Sequence, residues 1–124
     1  METKQAQEIA FKSAYETIKN NFKEANKALD YLLKEKRTTK TTRASETRKF
    51  YFIAQYMDLI KETSGLYLDK ESHVPVFENR MYYDSIFEFD IKLTLRLKEA
   101  YRNEKFREKV NSTANYVPLL KKFF

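Results

Sequence analysis

Lysines, arginines and hydroxyls crowded into one short stretch give this sequence its most specific chemistry. Residues 34–49 read KEKRTTKTTRASETRK. Seven bases (Lys34, Lys36, Arg37, Lys40, Arg43, Arg48 and Lys49) stand against two acids, Glu35 and Glu46, so the segment holds +5 of the chain's net +6. Thr38, Thr39, Thr41, Thr42, Ser45 and Thr47 lie among them. Cations neutralise phosphates and hydroxyls donate hydrogen bonds to phosphate oxygens. A helix starting inside the segment would also aim free N–H groups at an anion. The pattern therefore fits a contact with a phosphate backbone. It equally fits a solvated connector between two helices, kept soluble by its charge.

Aromatic residues next to bases can stack on unpaired nucleobases. Lys49-Phe50-Tyr51-Phe52 follows the basic segment directly, and Tyr51 falls off both apolar stripes of its neighbourhood. Arg80-Met81-Tyr82-Tyr83 is a second such cluster. No groove-reading motif accompanies them, which favours RNA or single-stranded DNA over duplex as the partner. Exposed tyrosines are equally at home in protein interfaces.

A different chemistry is suggested by Asp90-Ile91-Lys92, with Asp69 and Asp84 upstream. On a strand, an acid and a lysine two residues apart share one face and, with a second acid, can hold a divalent metal beside a polarised water. In this the triplet resembles metal-dependent nucleases of the restriction-endonuclease-like fold. The likeness is three residues long, and a solvated sheet face with cross-strand charge pairs explains it as well. His73, the only imidazole, stands beside Val74-Pro75 and reads as a surface or hydrogen-bonding residue. Zero Cys and one Gly exclude a thiolate nucleophile, a Cys-based metal site and a Gly-rich phosphate loop. No catalytic residue, resident metal or cofactor is expected.

The frame for this chemistry is one domain, 1–124. Apolar residues make up 42% and aromatics 15%, too many for a disordered chain. The N-terminus carries no signal-like apolar run, and no stretch nears the roughly 18 apolar residues of a membrane span. A cytoplasmic protein with no membrane contact is expected.

Residues 4–36 predict one long helix. Phe11, Tyr15, Ile18, Phe22, Ala25, Leu29 and Leu32 recur at spacings of 4, 3, 4, 3, 4, 3, flanked by the small Ala14 and Ala28. The seam can pack on the next helix or on a second copy in a homodimer. That next helix, 44–63, is apolar around most of its girth. Phe50, Ile53 and Met57 should centre the core, and Ser64-Gly65 should end it. From Phe87 to Leu97, six apolar residues alternate strictly with polar ones, the period of a half-buried strand. Its partners would be 66–69 and 74–78, with Pro75 confining the latter to an edge or a strand start. The fold class expected is α+β: a helical hairpin over 4–63, a small antiparallel β-meander over 66–97, then a C-terminal helix and tail, 98–124. Leu119, Leu120, Phe123 and Phe124 in that tail either dock on the core or anchor a partner.

The functional expectation is a small basic protein without catalysis that binds nucleic acid or assists a nucleoprotein, gripping phosphates through 34–49. The alternative is a protein-interaction module (subunit, adaptor or inhibitor) that meets an acidic surface and uses the heptad seam and the apolar tail. The metal-dependent nuclease is a minor third.

Overall fold

The structure, a computed structural model, describes residues 4–34, 40–114 and 117–124, and the side chains of 6–34, 43–114 and 117–124. Four α-helices carry almost all of it: α1 Lys4–Leu33, α2 Lys40–Gly65, α3 Arg80–Tyr101 and α4 Glu104–Ala114. Short 3₁₀ segments precede α3, at Phe77–Asn79, and close the chain, at Pro118–Lys122.

The heptad seam of α1 explains its packing. Ile18, Ala25, Leu29 and Leu32 are buried, while Phe11, Tyr15 and Phe22 pack against the core from its margin. α2 runs back along α1: the Tyr56 hydroxyl donates to the Ile18 carbonyl and the Tyr67 hydroxyl to the Phe11 carbonyl, both at 2.8 Å. Phe50, Ile53 and Met57 form the centre, each at most 2% exposed. α3 then climbs parallel to α1. Three contacts in order mark the register: Tyr15 with Tyr82, Phe22 with Phe89 at 4.8 Å between ring centroids, and Arg96 with Asn26 and Asp30. Each fully buried Leu or Phe on these faces adds roughly 1.5–3 kcal/mol.

α4 is separate from α3 because Asn103 caps it. Its side chain accepts from the Phe106 N–H at 3.1 Å and its carbonyl from the Arg107 N–H at 3.0 Å. Phe106 then meets Phe50 across the core. The tail turns back onto this layer: Leu120 is fully buried, and Phe124 packs on Tyr101 and Phe106. All four helices feed one cluster of buried side chains.

The α+β expectation is overturned. No sheet forms among the described residues, and the alternating stretch 87–97 lies wholly inside α3. Of the β-meander, one antiparallel bridge survives, Leu68 with Pro75, closed by Asp69 N–H to the Val74 carbonyl and Val76 N–H to the Tyr67 carbonyl. Two bounds also move. α1 stops at Leu33 and α2 is already helical at Lys40. α2 ends at Gly65 as its sequence suggests, but no glycine is left-handed. The end winds out through i→i+3 bonds from Leu66, Tyr67 and Leu68. The one left-handed residue described is His73, φ 56°, a conformation in which His is enriched among non-glycine residues.

A candidate anion-binding end of the helical hairpin

The C-terminal carbonyls of α1 have no intrahelical donors and need partners. α4 supplies one. The Lys109 ammonium donates to the Leu32 and Lys34 carbonyls, 3.0 Å each, where the helix dipole favours a cation. It also lies 3.9 Å from Glu46, the two side chains being 14% and 6% exposed. Nothing in the sequence signals this junction, because Lys109 stands 77 residues from Leu32. Its consequence is electrostatic. Glu46, the acid of the basic segment whose side chain is described, is taken inside and neutralised there.

The described cations of the segment divide into two sets. Lys49 is held over the Tyr31 ring, 4.6 Å from its centroid, and faces α1. Lys34, Arg43 and Arg48 are exposed, and none forms an ion pair among the described residues. Arg48 and Tyr51, three residues apart on α2, share one outer face. Tyr51 is half exposed. Thr47 spends its hydroxyl proton on the Arg43 carbonyl, 2.9 Å away. Lys36 and Arg37 lie outside the described residues, as does the side chain of Lys40, whose backbone opens α2.

The second aromatic-basic cluster is not brought to this end. Arg80, Tyr82 and Tyr83 begin α3, beside the N-terminal half of α1. Arg80 pairs with Asp84, Tyr82 packs between Tyr15 and Tyr67, and Tyr83 stacks on Phe87. Of the tail residues, Leu120 is in the core, Leu119 and Phe124 pack against it, and Phe123 lies under the Lys61 ammonium. The α1 seam is likewise spent within the chain.

The acid-x-Lys site loses its strand. On a helix, residues two apart diverge by about 200°. Lys92 pairs instead with Glu88 at 2.9 Å, and Asp90 accepts from the Thr94 hydroxyl at 3.2 Å. Among the described residues no three acidic or histidine side chains converge as a metal site. Asp69 serves its own turn: its carboxylate accepts from the Ser72 and Glu71 N–H groups, and these bonds, Ser72's first, hold its pKa below the usual carboxylate range. Burial pushes the Tyr56 phenol up, and the Tyr67 phenol up to about 12, with Tyr82 adding to the latter. A shallow groove lined by Ala14, Thr17, Leu59, Glu62, Thr63 and Leu66 offers no nucleophile paired with a base.

Among the described residues no helix is long and apolar enough to cross a membrane. No protein-family model matches the sequence, and neither a curated protein nor a solved structure is detectably similar to it.

Proposed function

We propose that this chain is a non-catalytic nucleic-acid-binding or nucleoprotein-accessory protein that contacts phosphates through the α1–α2 end of the bundle. The observation that supports this is the unbalanced charge there. Lys34, Arg43 and Arg48 stand exposed without carboxylate partners among the described residues, while Glu46 is buried against Lys109. Phosphates are the anions that arrive in rows, and a row suits a cationic end with no enclosed pocket. Tyr51, beside Arg48, adds a half-exposed ring on which a base can stack. A flexible single strand can place phosphate and base on these two side chains together, which favours RNA or single-stranded DNA.

The test is binding of a fluorescent single-stranded oligonucleotide across a salt series. The logarithm of affinity should fall linearly with the logarithm of salt, by roughly 0.7 per phosphate contact. Arg48→Glu should weaken binding and flatten that slope by about one contact. Tyr51→Ala should cost about 1–3 kcal/mol of affinity. Arg80→Glu, at the far end of the bundle, should leave binding unchanged. A salt-independent affinity, or equal loss from the two charge reversals, removes this reading.

A further inference from the structure

α3 has two apolar faces, and the fold uses one. Ile86, Leu93, Leu97 and Ala100 are buried. On the other side Phe87, Ile91 and Leu95 stand at i, i+4 and i+8 and remain 50%, 43% and 60% exposed. Apart from Tyr83, which stacks on Phe87, no ring contact among the described residues falls on this strip. At roughly 200 Å² for a large apolar residue, these three exposures leave roughly 300 Å² of apolar surface in water. A standard interface takes about 800 Å² from each partner, around 60% of it apolar. The strip supplies most of the apolar share that one side of a small dimer requires.

Its charges identify the partner. Asp84 lies seven residues before Ile91 and Lys98 seven after, each two helical turns away on the same line. Both are exposed; Asp84 also lies 3.9 Å from Arg80 on its own helix, and Lys98 forms no ion pair among the described residues. The strip is therefore symmetric in hydrophobicity about Ile91 and carries opposite charges seven residues either side of it; three turns out, Arg80 and Arg102 share a sign, each beside its own acid, Asp84 and Glu99. A surface of that kind is complementary to itself when turned end for end. On a two-fold axis through Ile91, Ile91 meets its own copy, Phe87 meets Leu95, and Asp84 meets Lys98. Glu88 and Lys92, on one flank of the strip, come within half a turn of each other across the axis. Parallel pairing would set Asp84 on Asp84 and Lys98 on Lys98, which is repulsive.

We infer that the outer face of α3 is a self-association surface, on which a second copy of this chain docks antiparallel about Ile91. This differs from the homodimer expected on the α1 seam, which is buried within the chain. It is also independent of the nucleic-acid reading, since Lys34, Arg43 and Arg48 lie on other elements.

Sedimentation of the full chain, free of nucleic acid, tests it. A monomer–dimer equilibrium with Kd of roughly 1–100 μM is expected. Ile91→Glu and Leu95→Glu, both at exposed positions, should give monomers with unchanged helical circular dichroism. Asp84→Lys and Lys98→Asp should each weaken the dimer about tenfold or more, and the two together should restore it to near the original Kd. A chain monomeric at about 1 mM, or a dimer indifferent to Ile91→Glu, overturns the proposal. Failure of the double charge reversal to restore the dimer overturns the antiparallel register. If a glutamate variant fails to fold, the charge reversals still decide, because they leave the apolar strip intact.

Discussion

Replacing Lys109 by methionine should cost far more than an ordinary lysine substitution on a helical protein. Methionine keeps an apolar stem of similar length and removes only the ammonium. Three interactions go with it: donations to the Leu32 and Lys34 carbonyls, 3.0 Å each, and the 3.9 Å pair with Glu46. Hydrogen bonds from a charged donor contribute about 1.5–3 kcal/mol each, but Lys34 is exposed and its carbonyl can turn to water. The larger loss is at Glu46, whose side chain is 6% exposed and would be left charged without its counter-ion. Removing one partner of a buried pair costs about 3–5 kcal/mol. The separation here is long for an ion pair, so the lower end applies, and the whole change should be about 3 kcal/mol. With a urea slope of roughly 2 kcal/mol/M, the midpoint should fall by about 1.5 M. Glu46→Gln keeps the shape of the side chain and should cost about 1 kcal/mol. The double variant should be more stable than the sum of the single losses by at least about 1 kcal/mol, because no unpaired carboxylate remains. Urea unfolding of the four proteins measures the cycle. A Lys109→Met loss below about 1 kcal/mol, or strict additivity, would show that Lys109 is merely a surface lysine.

Two pH dependences follow from groups held by the fold. The Tyr67 phenol is raised to about 12 by burial. Folding thus favours its neutral form, and that stabilisation is complete below pH 10 and lost as pH climbs through about 12. Tyr67→Phe should cost about 1 kcal/mol at neutral pH, and urea midpoints should show the gap from wild type closing on the alkaline side; a constant gap refutes the assignment. Asp69 has the opposite sign, its carboxylate being favoured by the Ser72 and Glu71 N–H groups. Its contribution is present above about pH 4, the ordinary range of a free Asp, and fades as pH falls through the depressed folded value. Asp69→Asn keeps an acceptor oxygen and loses the charge, so its stability should converge on wild type in acid. Equal acid sensitivity at a constant offset would count against the turn.

The hairpin is legible because its signal is redundant. Seven apolar positions of α1 hold the 4, 3 spacing without a glycine or proline, so no other conformation puts them on one side. The apolar girth of α2 places Phe50, Ile53 and Met57 at the centre for the same reason. The tail shows the limit of such reasoning. Leu119, Leu120, Phe123 and Phe124 call for cover, but whether by the core or by a partner depends on where α4 delivers the chain. Glu46 is less legible still. It sits in the most polar stretch of the sequence and is 5% exposed, because α4 returns over the α1–α2 junction with Lys109. Long-range pairs of this kind, Arg96 with Asn26 and Asp30 among them, leave no trace in local periodicity.

α3 shows why strict alternation can mislead. Every odd residue from Phe87 to Leu97 is apolar, and on a strand these would form one face. On a helix the same six resolve into two i, i+4, i+8 rows: Phe89, Leu93 and Leu97 on one, Phe87, Ile91 and Leu95 on the other, about 160° apart. The first row packs against α1 and α2, and the second is left in water. Periodicity alone cannot separate a strand with one apolar face from a helix with two. Length and the polar positions can. No glycine or proline interrupts residues 80–101, a span far longer than an ordinary strand. Arg80 with Asp84 and Glu88 with Lys92 form i, i+4 pairs, which strands do not make. A strand would also have needed neighbours, and 66–79 affords a single bridge. The helix wins because it satisfies its own backbone, while its second apolar row stays in water.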